Sequence, residues 1–248
     1  WARGMPRAGW AGRPTPALPF AQDSANEQAR RMSAERGKDV LFFDLDGTLI
    51  DSQVGITACI AYALQKMDHP VPPQETLLGW IGPSLRTTFA PLFVEPARVE
   101  QAVGYYRERF DVEGWREHTV YPQVEGTLRT LHGRGHRLAV VTAKNEPHAR
   151  RILAHLPFGG LFEEIVGSTL DGSRSHKPEL VGEALRRLQV QPAQCWMIGD
   201  RRMDIEGARH HGLRSVGVLW GFGGEAELTE AGASQLAREP AQLEALLA

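Results

Sequence analysis

The chain is short of the features that mark several functional classes. Cysteine is scarce: Cys59 and Cys195 are the only two among 248 residues, and neither has a second cysteine at the spacing a zinc site needs. Both lie in apolar segments, which reads as buried thiols in a reducing compartment, so the cytoplasm is the expected location. The nine histidines form no HExxH pair or similar zinc-binding spacing. No apolar run approaches the ~20 residues that a membrane span requires. A basic surplus is also missing, since the formal net charge is −2, which leaves no electrostatic footprint for nucleic acid and no polybasic membrane anchor. The expected partner is therefore a small molecule, bound by a monomer or homodimer. An anionic one must be held by local positive groups, because no global field favours it.

What is present is an ordinary globular mix, 42% hydrophobic and 23% charged, in a chain long enough to bury a sizeable core. Residues 1–37 stand apart. They are rich in Gly, Pro, Ala and Arg without an apolar period, and Pro14, Pro16 and Pro19 break any secretory h-region. They read as a disordered leader, either native or artificially appended. From Asp39 onward short apolar strands alternate with amphipathic helices. Strands are expected at 40–43, 138–141, 162–166, 196–198 and 215–219, each followed by helical periodicity. That alternation predicts an α/β fold, a Rossmann-like parallel sheet with helices on both faces. A purely helical block interrupts it. The expected division is a catalytic core of residues 38–51 and 119–248 with an inserted all-helical domain at 52–118.

In such sheets ligands bind beyond the carboxyl ends of the strands. The first strand runs into Asp44-Leu45-Asp46-Gly47-Thr48-Leu49. The second leads to Thr142, the third to a loop ending at Lys177, and the fourth to Asp200 with Asp204 four residues on. Acidic groups, a hydroxyl and an ammonium thus converge on one rim. Asp44 and Asp46, two apart, point the same way while the chain stays extended. Carboxylates gathered this closely repel one another unless a cation intervenes. An oxygen-rich cluster suits Mg²⁺, which takes carboxylates, waters and substrate phosphate.

The ordered set DLDGTL (Asp44–Leu49), AVVTAKN (Thr142), SHKPEL (Lys177) and IGDRRMD (Asp200, Asp204) resembles the haloacid dehalogenase superfamily in its phosphatase branch. The likeness covers nearly all of the chain from about residue 39. DGTLIDS, GWIGPSL and VLWGFGG resemble the phosphoglycolate-phosphatase-like group. The resemblance implies an HAD-like core with a helical cap and a phosphomonoesterase acting through an aspartyl-phosphate. Asp44 is the implied nucleophile. Asp46 is the implied acid and base, contributing also a backbone carbonyl to the metal. Thr142, Ala143 and Lys177 are implied to bind the phosphoryl group. Mg²⁺ is implied at Asp44, Asp46, Asp200 and Asp204, the last of these ligating or orienting.

Blander readings accompany these. Thr142 also suits a helix cap, Lys177 a solvated helix start, and Asp204 a helix N-terminal charge. Lys144 and Asn145, close behind Thr142, suit substrate contact or none equally. Arg86, just after Gly82-Pro83-Ser84, suits either a substrate carboxylate or solvent. Among functions, a nucleoside 5′-monophosphate phosphatase and a β-phosphoglucomutase-type mutase share the same pattern. Dehalogenation and phosphonate hydrolysis are disfavoured by the second aspartate, Asp46. A phospho-accepting signalling domain would be shorter and would lack the helical block.

Overall fold

The computed structural model describes residues 39–248, together with Trp1. The expected leader, 1–37, falls outside the described residues apart from Trp1.

The first strand, β1 (Val40–Phe43), is VLFF with all four residues buried, as a strand covered on both faces must be. β2 (Ile50–Asp51) follows directly. Four helices come next: α1 (Gln53–Lys66), α2 (Gln74–Gly79), α3 (Leu85–Phe89) and α4 (Pro96–Val112). β3 (Thr119–Val120) pairs antiparallel with β2, so a two-stranded ribbon brackets the helical block. The core resumes with α5 (Val124–Gly133), β4 (Arg137–Asn145), α6 (Glu146–Leu153), β5 (Phe162–Ser168) and α7 (Lys177–Leu188). It ends with β6 (Cys195–Gly199), α8 (Arg202–His211), β7 (Arg214–Val218), α9 (Glu225–Ala231), β8 (Gln235–Ala237) and α10 (Leu243–Leu246).

The main sheet has the order β5-β4-β1-β6-β7-β8, and every pairing in it is parallel. Its two faces are read off β1. Leu41 and Phe43 pack with Leu128 of α5 and Ile152 of α6, while Val40 and Phe42 pack with Leu180 of α7 and Ala208 of α8. Helices therefore cover both faces, as the strand–helix alternation predicts. β1 lies between β4 and β6, where the strand order changes direction, and this puts three strand ends side by side at the crevice where α/β sheets bind ligands.

The structure departs from the sequence reading at three places. β4 continues to Asn145, with a register irregularity after Val141, so Thr142 lies within the strand. The C-terminal segment, expected to be helical, contains β8, an edge strand of three residues that is too short to show a period. The β2–β3 ribbon and α2 are likewise too short for periodicity to reveal.

Within the helical block, α4 starts with Pro96, whose missing N–H costs nothing at a first-turn position. It buries Val99, Ala102, Val103, Tyr106 and Phe110, a stripe at helical spacing, against Cys59, Ile60 and Ala63 of α1. Cys59 and Cys195 are both buried and free. No helix among the described residues is long and apolar enough to cross a membrane.

Candidate active site

The loop after β1 is a compact turn. Leu49 and Ile50 both donate backbone N–H groups to the Leu45 carbonyl, and Gly47 donates to the Ile50 carbonyl. Gly47 has φ +81°, and a Cβ there would overlap the Asp200 carboxylate. Gly221, in the loop after β7, is pressed as closely against the Gly47 carbonyl and Asp200. These two glycines let backbone close over the carboxylates.

Asp44, Asp200 and Asp204 are all buried, and one oxygen from each lies within 4.8 Å of the others. Asp44 Oδ1 accepts from the Leu45 N–H at 2.8 Å. Asp200 accepts from Thr48 Oγ1 at 3.2 Å and from the Phe222 N–H at 2.8 Å. Asp204 sits in the first turn of α8, where Oδ2 accepts from the Arg201 N–H at 3.0 Å. Its other oxygen faces Lys177 Nζ at 2.6 Å. Lys177 is the first residue of α7, a start that Glu179 secures by accepting from the N–H groups of Ser175 and His176. The ammonium also lies 3.2 Å from Asp44 Oδ1 and donates to the Val141 carbonyl at 2.9 Å.

Burial and repulsion dominate the electrostatics. Burial pushes the Asp44 carboxyl up to about 6; Lys177 opposes this, and Asp204 adds to it. Asp200 is raised well above the ordinary carboxylate range, first by burial and then by Asp204 and Asp44. Burial alone would lower Lys177, but Asp204 and Asp44 outweigh it and hold the ammonium above its usual value. A single ammonium thus serves the cluster of three buried carboxylates, paired with Asp44 and Asp204. That donor set, all oxygen and deficient in positive charge, fits a hard divalent cation. Asp44 and Asp200 are the side chains suited to hold it. Asp204, whose Oδ2 accepts from Arg201 and whose Oδ1 lies 2.6 Å from Lys177, can join them or orient Lys177 and the loop of Asp200.

Each residue singled out in the sequence has a defined position. Asp44, Asp46, Thr142, Ala143 and Arg86 line one cleft between the sheet rim and the helical block. Lys177, Asp200 and Asp204 lie buried at its base around Asp44. The Asp46 side chain is not in the three-carboxylate cluster. It is bound instead by Lys144, whose Nζ donates to its two oxygens at 2.8 and 3.1 Å. Thr142 Oγ1 accepts from the Lys144 N–H at 3.2 Å, and its hydroxyl works against the rise of the Asp44 carboxyl. Arg86 already has a carboxylate partner: Nε and Nη2 donate to Glu100 at 2.5 and 2.8 Å.

The pairing of Lys144 with Asp46, and the place of Arg107 on the cleft wall, were not expected from the sequence. Lys144 lies two residues past Thr142 on the same strand, so period-two spacing was an available signal. Arg107 occupies the middle of α4 and reads as an ordinary helix-surface arginine, with no local signal.

A family model for haloacid dehalogenase-like hydrolases matches residues 41–218. The chain belongs to that family. Within it, this hydrolase is 42% identical over 189 residues to a 5′-nucleotidase of Pseudomonas aeruginosa, covering 76% of this chain and 86% of the relative. It is 33% identical over 208 residues to a phosphoglycolate phosphatase of Salmonella typhimurium, covering 74% and 82% of the two chains. Protein tyrosine kinase A of Mycobacterium tuberculosis superposes with a TM-score of 0.73 at 34% identity, over 85% of this chain and 98% of that one. This haloacid dehalogenase-like hydrolase falls in the phosphatase branch, as a phosphoric monoester hydrolase.

Proposed function

We propose that the chain is a Mg²⁺-dependent phosphatase that hydrolyses small phosphomonoesters through an aspartyl-phosphate on Asp44. The observation that carries this reading is the position of the Asp44 carboxylate. It is buried, 3.2 Å from Lys177, clustered with Asp200, and on the wall of the cleft that Asp46 shares. In the first step an Asp44 oxygen forms a bond to phosphorus and the ester P–O bond breaks. Protonated Asp46 gives its proton to the departing alkoxide. In the second step Asp46 takes a proton from water, the water oxygen attacks phosphorus, and the Asp44 carboxylate leaves as phosphate is released. Lys177 and Thr142 hold phosphoryl oxygens, and Lys144 keeps the Asp46 side chain turned toward the cleft. Asp44, Asp200 and the Asp46 carbonyl would hold Mg²⁺, which would supply charge neutralisation to the phosphoryl group.

The helical block acts in this reading as a cap at 52–118 that excludes bulk water over the core of 38–51 and 119–248. Two buried free thiols support action in the cytoplasm. A phosphoglycolate-like ester is the leading substrate class. A nucleoside 5′-monophosphate is the second, supported by the 42% identical nucleotidase.

Release of inorganic phosphate from a panel of esters, with and without Mg²⁺, tests the reading. Asp44→Asn should lower turnover by about 10⁴-fold or more while leaving the circular dichroism spectrum unchanged. Acid-quenched wild-type protein should carry a phosphoryl group on the peptide containing Asp44. Undiminished turnover in Asp44→Asn would remove the nucleophile and the mechanism with it.

A further inference from the structure

The basic side chains on the wall of the cleft are nearly all spoken for. Lys144 holds Asp46 at 2.8 Å, Arg86 holds Glu100 at 2.5 Å, and His148 Nε2 lies 2.9 Å from Asp111 Oδ1. Arg107 also lines the cleft and differs from them. Among the described residues it has no carboxylate within 4.0 Å. Its Nη2 donates to the Leu170 carbonyl at 2.9 Å, an acceptor it shares with Arg86 Nη2 at 3.0 Å. Its Nε is buried without any acceptor. Burial lowers the Arg107 pKa and the neighbouring Arg86 charge lowers it further, while Glu100 and Asp111 offset part of this; the guanidinium stays protonated.

A buried donor without a partner costs free energy, more so when its group is charged. Here that group is a guanidinium with no directly paired carboxylate, only the more distant charges of Glu100 and Asp111, on the wall of the cleft that holds Asp44 and Asp46. Its fork of N–H groups matches a planar or tetrahedral oxyanion, carboxylate or phosphoryl, in two-point contact. Arg86 does not compete for that role, because Glu100 already occupies its fork.

We infer that Arg107 is a specificity-determining residue, and that the preferred substrates are short phosphomonoesters bearing a second anionic group on the leaving-group side. The inference rests on the phosphatase reading above and narrows its substrate class. One end of the substrate meets Asp44, Thr142 and Lys177. The other meets Arg107, which the helical block contributes, so only an ester that reaches both is held across the cleft. Arg107 thereby selects by charge, while the rim residues act on any phosphate.

Three esters on the same two-carbon skeleton separate the possibilities: 2-phosphoglycolate, ethylene glycol bisphosphate and 2-hydroxyethyl phosphate. The wild-type enzyme with Mg²⁺ should favour one of the two esters with a second anionic group over 2-hydroxyethyl phosphate by at least about tenfold in kcat/KM. Which one it favours tells carboxylate from phosphoryl recognition. Arg107→Gln should cut that preference by about 10- to 100-fold, mainly through KM, and Arg107→Lys should restore part of it. Equal losses on all three esters would mean that Arg107 only ties the helical block to Leu170, and would overturn the inference. So would a wild-type preference for 2-hydroxyethyl phosphate or for a nucleoside monophosphate. Calorimetry on Asp44→Asn, with and without Arg107→Gln, reads binding apart from turnover. Charge-selective binding to Asp44→Asn, with no ester turned over by the wild type, would sink the phosphatase reading alone. Turnover without charge selection would sink this inference alone.

Discussion

The sheet rim and the helical block build the same cleft by opposite means. At the rim, the reactive side chains lie late in a strand, just past one, or in the first turn of the helix after one, and charge is balanced among near neighbours: Lys177 against Asp44 and Asp204, Lys144 against Asp46. In the block, Arg86 and Arg107 project from helices whose apolar stripes face elsewhere, and both reach across to the Leu170 carbonyl in the core. Strand ends place chemistry to within a residue, because the sheet holds them rigidly. Helix faces place it only through packing. A rim built this way suits a reaction common to many esters, and a packed helical wall suits choosing among them.

That contrast can be broken by substituting glycine in each region. Gly47→Ala adds a methyl at φ +81° that meets the Asp200 carboxylate. It should cost on the order of 2–4 kcal/mol in chemical denaturation and most of the activity. Gly104, in α4, has open space around its Cβ position. Gly104→Ala should instead stabilise the protein by about 0.5–1 kcal/mol with kinetics unaltered. If the two substitutions had similar effects, the rim would not be the tightly packed region described.

pH sharpens the comparison next. The Asp44 carboxyl, raised by burial from 3.8 to about 6, binds its proton more tightly in the folded protein than in the unfolded one. Its contribution to stability is therefore fully present below about pH 4 and is lost as pH rises through 6. In metal-free protein, wild type should lose on the order of 2–3 kcal/mol relative to Asp44→Asn between pH 4 and 7. Asp200, raised in the same direction, should add to the proton competition, so the Tm gain from Mg²⁺ should be larger at pH 7.5 than at pH 5. A metal-induced shift independent of pH would count against carboxylate ligation.

Asp204→Asn isolates the orienting role. Lys177 loses its 2.6 Å partner while Asp44 and Asp200 remain. The Mg²⁺ concentration for half-maximal activity should rise about 10- to 100-fold. An unchanged metal requirement would reduce Asp204 to a helix N-terminal charge.

Much of the rim could be read in advance. DLDGTL marks a strand end with a tight glycine turn, and Thr142, Lys177 and Asp200 recur after later apolar runs. Those signals are local: burial on both faces forces apolar runs, and the residues just past them must lie at the sheet edge. Lys144 was half-legible, because the period of two was visible but the extension of β4 to Asn145 was not. Short elements such as β8 and the β2–β3 ribbon carry too few residues to show a pattern.

Residue order alone settled the α/β alternation, the acidic rim and the family, since each depends on spacing along a strand or turn. Folding in three dimensions decided which charges are satisfied. Arg86 and Arg107, 21 positions apart, look alike in the chain, yet α4 supplies Glu100 to one and leaves the other's Nε without an acceptor. Whether a guanidinium finds a carboxylate depends on how helices pack, and no local run of residues encodes that distance.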